Sequence, residues 1–427
     1  MKYSVGFMIL LSSATSMASN IHVYDSGYQS SYFCLTNQLF NGVPKYCGAT
    51  GTYTHKHIPV AVEKSNNHFE VFSNNENGNL VTYVVKNYNQ KVKVHTESNW
   101  NDPHTNAIVD VDKNGYVYVQ LSSRGLGHKY RSGHLYKSTT PYGTQFQKLK
   151  GLPNHGDFNQ SYPQLHLDNA LNRLAVFTRY EYAGQKSVRT LWFDNNGHEF
   201  KLAEGGHYAV SDTNDDGAIY IAYNYHPNYN LDRRSNIHVI KSYTFNPNTW
   251  YNIKGERLTL PLAENDSRTL VYDSEANGTY IYVKDIVAEE AGTGGGVHVL
   301  FTESTSFDPT KGSRYVKELD IQSVNKVAVN TITATNHNYS GATYLTNRFG
   351  WTVHSILVNG NNHQPYFGGD IQLYQRVNGH WQYKNTYADG GNYTYIRKVR
   401  GSDHKAVASK GIGEIDNGNT QIRIEVK

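Results

Sequence analysis

Four stretches of this sequence concentrate side chains that neither a strand nor a turn requires. DPHTNAIVDVD (102–112) places His104 just ahead of an alternating apolar run, and SYPQLHLD (161–168) sets Tyr162 before a proline. FTRYEY (177–182) interrupts an apolar run with Arg179, and GGHYAVS (205–211) is followed by YNYHPNYNLDRRSNIH (223–238). An imidazole, a phenol and a guanidinium offer proton transfer near neutral pH and a two-pronged partner for a carboxylate. Taken singly, each has a plain structural reading: a capped His, a packed Tyr, a surface Arg. Taken together they are a set for proton transfer and anion binding. The paired acids that a glycosidase normally needs are not among them.

The elements that must position these residues are strands. The chain has 427 residues, 38% hydrophobic and 18% charged, with 35 Tyr and 37 Gly. That aromatic content argues against disorder, the Gly count is too low for a collagen repeat, and helical periodicity is nearly absent. Short alternating runs are instead punctuated by Asn-Gly, Asp-Gly and Asn-Asn pairs, the turn chemistry of antiparallel hairpins. DKNGYVYVQL (112–121), DDGAIYIAYN (215–224), EANGTYIYVKD (275–285) and RFGWTVHSIL (348–357) read as copies of one unit, with LNRLAVFTRY (171–180) as a copy lacking the Gly. Units of roughly 60 residues give six or seven copies, which fits radial stacking of four-stranded sheets. The fold expected is an all-β propeller of seven four-stranded antiparallel blades, forming one domain over 19–427. In such a ring the strand starts and the loops before them converge on the axis, so the four stretches meet in one cleft.

The N-terminus reads as a secretory signal over 1–18: Lys2, an apolar run from Val5 to Leu11, and a small-x-small site at Ser16-Met17-Ala18. The first strand is expected near Ile21, and the protein is expected outside the cytoplasm, secreted or periplasmic. Cys34 and Cys47, the two cysteines of the chain, are expected to form a disulfide there, contributing on the order of 3 kcal/mol. The net charge of +4 is a mild basic bias that suits an acidic ligand, without the like-charge blocks of a nucleic-acid tail. Neither nucleic acid nor membrane insertion is expected, and the state expected is a monomer. DVDKNG (110–115) and DTNDDG (212–217) begin like calcium loops but have Leu121 and Tyr223 where a bidentate Glu belongs, so they read as turns. AGTGGG (291–296) lacks the Lys-Ser/Thr and helix of a phosphate loop.

In order along the chain, DPHTN (102–106), SYPQ (161–164), TRY (178–180), GGHY (205–208), NYHP (224–227), LDRRSN (231–236), VKDI (283–286), NHNYS (336–340), QPYFGG (364–369) and NYTYIRK (392–398) resemble the BNR-4 repeat seven-bladed propeller polysaccharide lyases of the ulvan lyase type. The resemblance runs from about residue 100 to about residue 400.

What the resemblance implies is β-elimination at a uronic acid. Arg179 would pair with the substrate carboxylate and stabilise the enolate-like charge, His104 would act as general base, and Tyr162 would move the second proton. Arg124, His128, Tyr208, Arg234 and His337 would bind the sugar chain, with His226 lining the same cleft. Where the family carries a second His, this chain has Arg124, with His128 four residues on; this shifts weight onto Tyr162. No cofactor is needed for the chemistry. A structural zinc or calcium ion at His226 and His238, which flank Asp232, is a further expectation, set against the plainer reading of two exposed turn histidines. The function expected is a secreted lyase on an acidic, sulfated rhamnose- and uronate-containing polysaccharide. A rhamnosidase-like hydrolase and a non-catalytic carbohydrate-binding propeller are the alternatives.

Overall fold

A short strand with apolar side chains on both faces must be covered from both sides, and a ring of radially stacked sheets does this without a helical layer. The computed structural model describes residues 20–29, 39–40, 43–44, 56–76, 79–98, 106–122, 133–149, 160–167, 173–183, 186–230, 233–244, 246–290, 296–308, 311–323, 326–335, 337–346, 353–359, 369–411 and 420–427. These form seven four-stranded antiparallel blades. The innermost strands are Ala61–Lys64, Ala107–Val111, Gln160–Leu167, Gly206–Thr213, Tyr280–Ala288, Ala342–Thr346 and Asn392–Lys398, which define blades 1 to 7. Blade 4 carries a fifth strand, Leu270–Tyr272, on its third. No α-helix occurs among the described residues.

Most inner strands are buried along nearly their whole length, as in blade 2, where every residue of Ala107–Val111 is buried; in blade 1 only Ala61 and Val62 of Ala61–Lys64 are. The outermost strands are part-exposed, as in Gln90–Glu97 and Lys326–Ala334, and the first of these is also rich in charged and polar residues, which suits an edge that must not recruit another strand. Between blades, facing sheets interdigitate. Leu174, Val176, Leu191 and Phe193 of blade 3 pack against Ile219, Ile221, Ile240 and Trp250 of blade 4. The Phe193 and Trp250 rings meet edge-on at 5.1 Å. Each such side chain contributes about 1.5–3 kcal/mol by leaving water.

Blade 7 is built from both ends of the chain. Its outermost strand is Ile21–Gln29, paired with Thr420–Val426 from Ile21↔Val426 inward, and Asn20 and Lys427 exchange backbone hydrogen bonds of 2.6 and 2.9 Å. The joint with blade 1 is electrostatic as well as apolar: Arg423 donates to Glu70 at 2.8 Å, and Lys405 to Glu63 at 2.9 Å.

The repeat copies are not all in register. DKNG and DDG are the turns between first and second strands of blades 2 and 4, and LNRLAVFTRY contributes the second strand of blade 3. Gly278, by contrast, lies in the turn that leads into the first strand of blade 5. EANGTYIYVKD is therefore displaced by one strand from the other copies, because a turn followed by an alternating strand looks the same at either position. The first calcium-like loop is a turn: Asp112 Oδ1 accepts from the backbone of Asn114 and Tyr116, each at 2.9 Å. Gly115 sits there at φ +85°, and a Cβ on it would lie 2.6 Å from the Tyr142 ring.

Candidate active site

On four inner strands the ladder is broken by one extra residue. Tyr162-Pro163 faces Phe177 alone in blade 3, Tyr208-Ala209 faces Tyr223 in blade 4, and Tyr395-Ile396 faces Ala408 in blade 7. Lys284 is the extra residue in blade 5. Tyr162, Tyr208 and Tyr395 have φ of +54°, +51° and +54°. A bulky residue in this left-handed region costs about 1–3 kcal/mol, so three of them in matching bulges are held there by their surroundings. A bulge of this kind re-aims a side chain out of the sheet's alternation.

The re-aimed side chains converge. The Tyr162 and Tyr208 rings are 5.5 Å apart, with His57 5.6 Å from Tyr162 and His226 6.2 Å from Tyr208. Tyr339, half-buried in the loop before blade 6, packs on Tyr162, Tyr208 and Tyr395. Arg234, at the entrance to the third strand of blade 4, donates to the hydroxyls of Tyr208 at 3.2 Å and Tyr339 at 3.1 Å. Its guanidinium carbon lies 4.5 Å from the Tyr208 ring centre and 4.8 Å from that of Tyr282. Arg234 is 4% exposed, and among the described residues no carboxylate forms an ion pair with it. Three further cations surround it. Lys56 donates to the Val283 carbonyl and Lys284 to the Asn338 carbonyl, while Arg397 is paired with Asp285 at 2.8 Å.

Burial drives the electrostatics. It pushes the Lys284 ammonium well below the usual lysine range, helped by Arg234 and Arg397, and it does the same to Lys56, helped by Arg397 and Lys284. His226 is held well below the normal imidazole range by burial, Arg234 and Arg189, and His337 by burial, Arg314 and Lys284. Both histidines are therefore neutral at pH 7. The result is a tyrosine-lined centre with a surplus of positive charge and no facing acid pair among the described residues; Asp285 is engaged by Arg397, by the Thr343 hydroxyl and by the Tyr344 backbone.

Of the residues singled out in the sequence, Tyr162, Tyr208, His226, Arg234 and His337 lie in or against this cluster, the His337 ring being 5.4 Å from Tyr339. Arg179 has a carboxylate of its own. It is 1% exposed, ion-paired with Glu199 of the outermost strand of blade 3, and its guanidinium lies 4.4 Å from the Trp192 ring. Glu199 also accepts from Gln160 at 2.8 Å, so Arg179 ties three strands of one blade. His226 and His238 are both buried rather than exposed turn residues. His226 Nδ1 lies 3.2 Å from the Asn230 carbonyl, whereas His238 stacks on Tyr223 and contacts the Thr269 hydroxyl at 3.0 Å. Neither belongs to a group of three potential ligands among the described residues. His104, Arg124, His128, Asp232 and both cysteines lie outside the described residues. The sequence reading passed over Lys56, His57, Lys284, Tyr339, Tyr395 and Arg397. VKDI, NHNYS and NYTYIRK contain four of the six, and a Tyr at one fixed offset in SYPQ, HYAV and TYIR was the available signal.

No protein-family model matches this chain, and no curated protein does. Solved structures do. The chain is similar to a PL25 ulvan lyase bound to -[GlcA(1-4)Rha3S]-, with a TM-score of 0.65 at 13% identity over 93% of this chain and 95% of that one. It is similar to the same type of lyase without that fragment, with a TM-score of 0.65 at 12% identity over 92% and 95%. A third match is the polysaccharide lyase Uly1, with a TM-score of 0.61 at 12% identity over 95% and 98%. At this identity the likeness establishes the seven-bladed ring over nearly the whole chain.

Proposed function

We propose that this protein is a polysaccharide lyase that cleaves an acidic, uronate-containing polysaccharide by β-elimination, with a sulfated rhamnose–uronate chain as the substrate class. The observation that carries the reading is Arg234: a buried guanidinium without an ion-paired carboxylate among the described residues, its hydrogen bonds going to the Tyr208 and Tyr339 hydroxyls. Such a group donates to a substrate carboxylate, and neutralising that carboxylate is what makes the adjacent C5 proton removable. A base then takes the C5 proton, the C4–O4 bond breaks, and O4 leaves with a proton from an acid. Tyr162 and Tyr208 supply the proton-transfer groups, with Arg234 holding the Tyr208 hydroxyl in place and His104 as partner base. The neutral His226 and His337 orient the sugar without adding charge. Structural likeness to ulvan lyase propellers supports this reading, and so does the lack of a facing acid pair in the described cluster.

The test is the ultraviolet absorbance of the unsaturated uronyl product on a panel of uronate polysaccharides. A rise on a rhamnose–uronate polymer is expected. Release of reducing sugar without it would make the protein a hydrolase, and binding without either would make it a lectin.

A further inference from the structure

Two groups of three potential ligands occur among the described residues, and their surroundings separate them. In the first, His298, Glu318 and Asp320 are fully buried between blades 5 and 6. Glu318 is already held by Arg376 at 2.6 Å and by the Trp381 indole at 2.8 Å. Burial opposes a charge on His298, but Glu289, Glu318 and Asp320 outweigh it and raise the imidazole to about 9. A protonated imidazole has no lone pair for a metal, so this group is an ion network.

The second group is less deeply buried. His95 and Glu97 stand two residues apart, on one face of the outermost strand of blade 1, and His134 opens the third strand of blade 2. Glu97 Oε2 lies 3.7 Å from His95 Nε2 and 3.7 Å from His134 Nε2, and all three ligand atoms fall within 4.8 Å of one another. Ligands around a tetrahedral zinc ion with bonds of about 2.0–2.2 Å stand about 3.4 Å apart, so the two Glu97 contacts close with shifts of about 0.3 Å and the edge between the imidazoles with at most about 1.4 Å. His95 Nε2 is buried and makes no hydrogen bond. The other ring nitrogen of His95 lies 2.7 Å from the Tyr136 hydroxyl, a contact that fixes the ring and leaves Nε2 facing Glu97. The side chains of His95, Glu97 and His134 are 12%, 18% and 20% exposed, which leaves a path for an ion.

We propose that His95, Glu97 and His134 form a zinc site that clips blade 1 to blade 2, with Tyr136 orienting the His95 ring and a fourth position open to water. Two histidines and one carboxylate match the donor set that zinc takes. The site lies on outer strands, away from the tyrosine cluster, and does not depend on the lyase reading.

The experiment is calorimetric titration of ZnCl2 into the chelator-stripped full chain, beside His134→Ala, Glu97→Gln, Tyr136→Phe and His298→Ala, each first checked for folding by circular dichroism. One equivalent of zinc is expected to bind the parent and the His298 variant alike. His134→Ala and Glu97→Gln are expected to abolish that binding, and Tyr136→Phe to weaken it by about 10–100-fold. No binding by the parent, or binding that survives both ligand substitutions, would overturn the site. Loss in His298→Ala with retention in His134→Ala would move the ion to the other group and overturn it equally.

Discussion

Arg234 and Arg179 are both buried arginines outside the innermost strands, yet they have opposite relations to charge. Arg179 is neutralised within its own blade by Glu199, whereas Arg234 rests on tyrosine hydroxyls. Arg234→Ala is therefore expected to lower turnover on the uronate substrate by about 10²–10³-fold, the scale of removing one preorganised electrostatic group. Arg234→Lys should recover only part of that, because an ammonium lacks the fork. Arg179→Ala is expected to act on stability instead, costing about 3–5 kcal/mol because it strands a buried Glu199 carboxylate. Thermal unfolding alongside the product assay separates the two; a normal melting temperature with lost turnover in Arg179→Ala would reverse the assignment.

At the scale of the element, the bulge decides which residues meet. SYPQ, HYAV and TYIR all lie in strands, but an extra residue in a ladder leaves no periodic signature. Tyr162 and Tyr208 were legible through their polar neighbours. Tyr395 was not, because an aromatic in an alternating run is what a strand offers anyway. Arg179 is a related case: a charge in an apolar strand has the same sequence signature whether it faces a ligand or Glu199, and that acid lies two strands away. The propeller itself was legible because turn pairs and period-two runs repeat, while the blade boundary at Gly278 was not. Tyr162→Phe is expected to keep the fold, since the ring and its packing remain, and to lose about 10²–10⁴-fold in turnover. The His298 network gives the pairing of blades 5 and 6 a pH signature. His298 is raised to about 9, so its contribution is complete below the unfolded-state value near 6.5 and fades as pH climbs through 9. Glu318, drawn down to about 2 by His298 and Arg376 against the effect of burial, contributes above its unfolded value and loses that contribution as pH falls toward 2. Stability measured by denaturant across pH 6–10 should decline on the alkaline side, and His298→Gln should flatten that decline.

For the whole molecule, the ring depends on blade 7, whose outermost strand is Ile21–Gln29 while its other three come from Asn392–Val426. Deleting 20–29 would expose the edge of Thr420–Val426 and is expected to lower the denaturation midpoint and promote self-association, measurable by light scattering. The same joint sets an order of events. Six blades are made of strands close in sequence and can form early, but Ile21 finds Val426 only when the rest of the chain has been gathered in, a contact of the slowest kind. Tyr395 belongs to that last blade and packs on Tyr339, which in turn touches Tyr162 and Tyr208. The tyrosine-lined centre is therefore a late product of folding: partly assembled rings would hold most of their strands without it, and the activity proposed for it would wait until the circle is shut.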